Sequence, residues 1–377
     1  MVHGFLNSTH FLDAAYPQSI RVGRYSTFLG GDRLENQTAV QLPAGASLHR
    51  YLSVNATTAV ARVLEKSLFE PLEDLFARPA KGVRGQMVEL GYHLATSQPM
   101  SDEIKKISAA FSEILEALHA GSLIVDDIQD RSRVRRGQPS LHIRYGLPVA
   151  LNAGNWLYFW PMLKVRELGL TPAMELEVYQ LCHRTLARAH FGQAIDVGTT
   201  IDQVEQAEVE GVCLASLELK SGALMALAIS LGAMLAGVSL EARLALENFG
   251  HDFGIALQIF DDIGNMKVSP ELPFEATKRY EDLILKRPTF IWVVASQSFS
   301  EKEYRNFVNA VDHLPDESYL KPWLEIHSLL PLATRKAREH LKKTFSELQS
   351  SLSQYTLNLE AYDSVLAIGE KVATAYD

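Results

Sequence analysis

Between Asp102 and Asp130 the apolar residues Ile104, Ile107, Phe111, Ile114, Leu115 and Leu118 return every three or four positions. Only a helix puts residues so spaced on one face, and at 1.5 Å per residue such a helix is about 43 Å long. An element of that length needs partners of similar length to cover it. Segments 205–236 and 241–266 carry the same periodicity, while alternating strand patterns are scarce, so the chain is expected to be all-α. Ser101 stands where an N-cap belongs, and Asp102 and Glu103 suit the positive end of the helix. With 377 residues, 47 % of them hydrophobic and 21 % charged, the chain can bury a sizeable core in one large helical bundle. Residues 1–45 lack periodicity and are expected to form an irregular extension or arm. Residues 46–377 are expected to form a single domain, with a loop over 267–280 where Pro270 and Pro273 break the pattern.

Charge and cysteine usage narrow the partners. A net charge of −9 without a long basic run argues against nucleic acid. Cys182 and Cys213 have no metal-like spacing and are read as reduced thiols, which suggests a cytoplasmic setting. The first residues show no basic stretch followed by an apolar core, so no secretory signal is expected. Residues 221–240 run without a charge, long enough to span a bilayer. They are built largely of Ala, Gly and Ser and are bounded by Lys220 and Glu241. They are therefore read as a buried central helix, with no transmembrane span.

The long apolar helix ends in acids. Asp126 and Asp130 lie four apart and share a face, with Asp127 alongside. Clustered carboxylates repel one another, and a hard cation such as Mg²⁺ relieves the cost while bridging them to substrate phosphates. A lone acidic triplet is more simply a solvated helix end. This one is echoed in QIFDDIGN, where Asp261 and Asp262 again follow an apolar run. Two such sites can face each other across a bundle and hold Mg²⁺ around one diphosphate. Arg135 and Arg136 follow the first triplet closely.

DDIQDRSRVRRGQPSLH together with QIFDDIGN resembles the trans-isoprenyl diphosphate synthase, or polyprenyl synthetase, family of head-to-tail prenyltransferases. KGVR at 81–84, GQAID at 192–196 and LKS at 219–221 resemble further motifs of that family in the same order. HAGSLIVDD resembles its geranylgeranyl diphosphate synthases. The resemblance implies the isoprenoid synthase fold, one all-α domain around a central cavity and usually a homodimer. It also implies isopentenyl diphosphate and an allylic diphosphate as substrates, and three Mg²⁺ ions per active site. On this pattern Asp126, Asp127, Asp130, Asp261 and Asp262 bind the metal. Arg135, Lys220 and Lys278 hold the allylic diphosphate, and Lys81, Arg84, His119 and Arg136 hold that of isopentenyl diphosphate. Gln258 and Ser221 line the reacting centre.

Three positions depart from the pattern. Pro79-Ala80 precedes Lys81 where the family has two glycines, Asn265 ends the second acidic motif in place of Asp, and Arg287 replaces a lysine. The growing chain is expected to run beside the helix carrying Asp126, with Leu118, Gly121 and Ser122 setting its length. Gly121 is read as leaving the path open, so Gly121→Phe is expected to shorten the product. The expected product is C20, with C25 or longer as the alternative. A class I terpene cyclase lacks a reason for a second set of basic residues, and a non-catalytic subunit lacks a reason to keep five of six motif aspartates.

Overall fold

The computed structural model describes residue 40 and residues 58–79, 83–267 and 279–374. The expected extension over 1–45, save Val40, and residues 268–278 of the expected loop lie outside them. Among the described residues the chain is almost wholly helical. Its strands are a two-residue hairpin, Val134–Arg135 against Gln138–Pro139, paired antiparallel. The long helices stand close to where periodicity puts them, at Asp102–Gln129, Val209–Leu217 continuing to Leu235, and Leu240–Asn265. Ser101 Oγ accepts from Ile104 N at 3.2 Å, and Ser239 Oγ from Ala242 N at 3.2 Å, so both starts are capped by hydroxyls.

The chain divides into two compact units. One holds Met1–Gly82 and Glu116–Trp160, the other Val83–Leu115 and Pro161–Asp377.

In the first unit, Leu68, Phe69, Leu72 and Leu75 form one side of an apolar core, with Ala117, Ala120 and Ile124 and with Ala150, Ala153, Leu157 and Trp160. Trp156 stacks on Trp160 and meets Phe69 edge-on. Small side chains dominate where the Asp102–Gln129 and Leu147–Arg166 helices meet. A Cβ at Gly121 would stand 2.9 Å from the carbonyl oxygen of Gly154 and 3.0 Å from Leu157 Cβ, so this approach requires glycine.

In the second unit, the Ala223–Leu235 helix is the centre. All residues from Ala223 to Ala233 are buried, against the Val83–Ala95 and Leu240–Asn265 helices. Each larger side chain placed there contributes about 1.5–3 kcal/mol of apolar burial. By length and composition Asp102–Gln129 and Val209–Leu235 could each cross a bilayer, but 67 % of each apolar window is buried inside protein. The uncharged stretch seen in the sequence is thus core. Phe249 and Phe253 stack on each other, and Phe345 meets both at a tilt, joining the Leu329–Gln354 helix to Leu240–Asn265.

Candidate active site

In the first unit the Asp102–Gln129 helix delivers its acids at its last turn. Asp130 N donates to Asp126 O and Ser132 N to Asp127 O, both at 2.9 Å, and the chain then turns into the hairpin. The neighbouring aspartates part company. Asp127 is buried, and its carboxylate takes Arg135 Nε at 2.9 and 3.1 Å and Nη2 at 2.5 Å. Asp126 and Asp130 stay half-buried. Helical spacing puts Ser122, four residues before Asp126, and His119, three before that, on the same stripe. Ser122 Oγ donates to His119 O at 2.8 Å.

The hairpin that carries the two arginines bends through left-handed backbone, with φ +54 at Arg136 and +72 at Gly137. Arg136 Nη1 donates to Leu75 O at 3.3 Å. Beneath it lies Arg78, whose side chain is 3 % exposed. Arg78 Nη1 donates to Arg135 O at 3.0 Å and Nη2 to Asp74 Oδ2 at 2.6 Å. Asp74 Oδ1 also accepts from Arg144 at 3.1 Å. The expectations from sequence included neither Arg78 nor Asp74. The available signal was a charged pair four residues apart in an otherwise apolar helix end.

In the second unit a π-helical segment, Glu218–Gly222, interrupts the helix at Lys220 and Ser221. Such interruptions gather at functional sites because they re-aim side chains. Lys220 Nζ donates to Asp196 Oδ2 at 2.8 Å. Ser221 Oγ donates to Gln258 Oε1 at 2.9 Å, and Gln258 Nε2 donates to Asp262 Oδ1 at 3.0 Å. The other oxygen of Asp262 accepts from Phe290 N at 2.9 Å. A Cβ at Gly192 would stand 2.6 Å from Lys220 N, so the glycine of GQAID is what lets its helix touch the π segment.

The second acidic motif divides as the first does, with Asp261 exposed and Asp262 buried. Burial, helped by Asp261 and Asp196 and opposed by the hydrogen bonds from Gln258 and Phe290, pushes the Asp262 carboxyl up to about 7. Burial also holds Asp282 well above the ordinary carboxylate range, helped by Asp262, Asp196 and Glu281 and opposed by Lys220. Asn265 Nδ2 donates to Asp282 Oδ2 at 3.2 Å. The Asn for Asp departure thus replaces what would be a second carboxylate against the half-buried Asp282. Arg287 Nη1 donates to Asp196 O at 2.8 Å.

Asp126, Asp127, Asp130, Arg135 and Arg136 therefore gather in one unit, and Lys220, Ser221, Gln258, Asp261 and Asp262 in the other. Arg84 is half-buried in the first turn of Val83–Ala95. Lys81 and Lys278 lie outside the described residues. Leu118 is 1 % exposed. The missing side chain of Gly121 also admits the neighbouring helix.

Among the described residues no three His, Cys, Asp or Glu side chains gather as a metal-binding group. The donors still suit a hard cation. They are carboxylate oxygens throughout, and Asp196 raises both Asp262 and Asp282 while Asp262 also raises Asp282, a repulsion that a divalent cation relieves.

A family model described as polyprenyl synthetase matches residues 65–321. A geranylgeranyl diphosphate synthase of Sulfolobus acidocaldarius is 34 % identical over 151 residues, 40 % of this chain and 45 % of that protein. A geranylgeranyl pyrophosphate synthase of Penicillium ochrochloron is 27 % identical over 253 residues, 67 % of this chain and 65 % of the relative. The chain thus spans less than two thirds of either curated relative. Among solved structures, the geranylgeranyl pyrophosphate synthetase of Pyrococcus horikoshii shares the all-α fold, with a TM-score of 0.67 at 20 % identity, over 84 % of this chain and 91 % of that one.

Proposed function

Because the chain belongs to the polyprenyl synthetase family, we propose that it joins isopentenyl diphosphate head-to-tail to an allylic diphosphate, with a C20 diphosphate as product. The observation that carries this reading is the pairing of acids with cations at the ends of apolar helices. Asp126, Asp127 and Asp130 come with Arg135, which pairs with Asp127, and in the other unit Asp262 lies among Asp261, Asp196 and Asp282, where Lys220 pairs with Asp196. Apolar helices suit a hydrocarbon chain, and their charged ends suit diphosphate.

Ionisation of the allylic C–O bond leaves a carbocation and places negative charge on the departing diphosphate. Arg135 and Lys220 bring fixed positive charge to that leaving group, which lowers the barrier where charge develops. Asp126, Asp127, Asp130, Asp261 and Asp262 would hold Mg²⁺, which when bound supplies Lewis-acid neutralisation of the diphosphates. Gln258, fixed between Ser221 and Asp262, presents an oriented amide rather than a mobile one. Apolar side chains exclude the water that would quench the cation. The double bond of isopentenyl diphosphate then forms the new C–C bond, and the departing diphosphate takes up the proton that the resulting cation loses.

The C20 length draws support from relatives named as geranylgeranyl diphosphate synthases. The proposed assembly is a homodimer. Leu147, Leu151 and Phe159 are exposed along one helix, Phe159 to 71 %, and such an apolar row favours burial against a second copy. Cys182 and Cys213 are buried free thiols, which suits a cytoplasmic setting.

The test is a product assay. The protein receives Mg²⁺, isopentenyl diphosphate and separately the C5, C10 and C15 allylic diphosphates, and the dephosphorylated products are sized. A C20 alcohol that disappears with chelator is the expected result. Longer alcohols would keep the reaction and replace the length. A hydrocarbon formed without consumption of isopentenyl diphosphate would replace the reaction with cyclisation.

A further inference from the structure

Arg78 stands outside the diphosphate-binding set and yet touches the chain that carries it. Its side chain is almost fully buried, at a position where a cation is costly unless each donor is placed. Two donors are placed on different elements. One goes to Asp74, a turn earlier on its own helix. The other goes to the carbonyl of Arg135, the first residue of the Arg-Arg-Gly turn. Immediately after that carbonyl the backbone becomes left-handed at Arg136 and Gly137. Non-glycine residues adopt that conformation only when surroundings impose it. Arg136 in turn donates to Leu75 O, the carbonyl that also accepts Arg78 N at 3.3 Å. The helix end Glu70–Ala77 is thereby fastened to both arginines, and Arg135 extends from this fastening to Asp127.

We propose that Arg78, oriented by Asp74, is a positioning residue that aims Arg135 and Arg136 at the substrate diphosphates. The inference rests on the prenyltransfer reading for what those arginines grip. A planar guanidinium is needed because one group must serve a carboxylate and a carbonyl at once. A lysine ammonium, a point charge on a flexible stem, does not present that fixed fork. Displacement of a gripping residue by about 1 Å costs up to a hundredfold in rate.

The experiment compares wild type, Arg78→Met, Arg78→Lys, Asp74→Asn and Arg144→Met. Binding of inorganic diphosphate with Mg²⁺ is measured by calorimetry, KM and kcat with both substrates, and Tm by thermal melting. Arg78→Met is expected to weaken diphosphate binding and to lower kcat/KM by on the order of tenfold to a hundredfold. Arg78→Lys is expected to recover part of this, and Asp74→Asn to show the same loss in milder form. Arg144→Met, which removes the other partner of Asp74 without touching Arg135, is expected to stay within about twofold, as a half-exposed ion pair allows. A folded Arg78→Met protein with unchanged diphosphate affinity and unchanged KM would overturn the proposal. If Arg78→Met does not fold, Asp74→Asn decides: weakened diphosphate binding at unchanged Tm supports the proposal, and unchanged binding overturns it. A wild-type protein that binds diphosphate but condenses no allylic substrate defeats the prenyltransfer reading alone, and the calorimetry still judges Arg78.

Discussion

At the scale of single residues, adjacent positions in one motif do different work. Asp126 stays half-buried and Asp261 is exposed, while Asp127 and Asp262 turn inward and are held by Arg135 and by Gln258 with Phe290 N–H. The acids themselves were legible, because their spacing and their place after apolar runs are sequence properties. Which acid turns inward was not, because it depends on how the backbone after each helix folds back to bring Arg135 and the Phe290 N–H to it. Gly121 and Ser122 show the same contrast. Gly121→Ala is expected to cost about 1–3 kcal/mol by overpacking against Gly154 and Leu157, and Gly121→Phe more. Ser122→Phe lies on the Asp126 stripe, where the side chain is only half-buried, and is expected to shorten the product with little change in stability. Urea unfolding together with product sizing checks both. Equal shortening by both variants with intact stability would contradict the packing role of Gly121.

At the scale of elements, the long helices were readable from periodicity, and the π segment was not. An extra residue in one turn leaves the apolar pattern on either side almost unchanged, and its placement is enforced by contact with the helix that carries Gly192. Gly192→Ala is expected to push that helix off Lys220, costing about 1–3 kcal/mol and lowering affinity for the allylic diphosphate. Chemical unfolding and KM measurements read the two effects. A second tie joins the short 3₁₀ turn Ile201–Gln203 to Lys286. Ile201 N donates to Lys286 O at 3.0 Å, and Lys286 Nζ meets Asp202 and Asp312, each at 2.7 Å. Burial, the largest single effect, would raise the Asp202 carboxyl, but hydrogen bonds from Lys286, Thr200 and the backbone together with the Lys286 charge outweigh it and hold the carboxyl below its usual range. A carboxyl lowered on folding stabilises the fold above its unfolded value, and that gain disappears as pH falls through the folded value. Wild type should therefore exceed Lys286→Met in Tm at pH 7, by a margin worth no more than about 1 kcal/mol for so exposed a pair. The margin should begin to shrink near pH 4 and be lost as pH falls through the lowered folded value. A margin that does not shrink as pH falls below about 4 would assign the effect of Lys286 to packing.

At the scale of the molecule, the composition reads differently once the fold is known. The uncharged run that could have spanned a bilayer is the core helix Ala223–Leu235, rich in small residues because neighbouring helices close on it from either side. Part of the apolar surface left over lies elsewhere, at the exposed Leu147, Leu151 and Phe159 of one helix. If that row joins two copies, Phe159→Glu should halve the mass seen by light scattering while leaving helix content intact. An unchanged dimer mass would move the interface to another face.

The bond between Asp127 and Arg135 has a thermodynamic corollary. Each is proposed to serve a different ligand, Asp127 the cation and Arg135 the diphosphate, yet here each satisfies the other. Whichever ligand arrives first must open this pair, and it leaves the second partner ready. Linkage makes the benefit reciprocal: Mg²⁺ should tighten diphosphate binding by the same factor by which diphosphate tightens Mg²⁺ binding. The substrate-free chain would thus carry an internal competitor for both, and would close on a diphosphate only in the company of its metal.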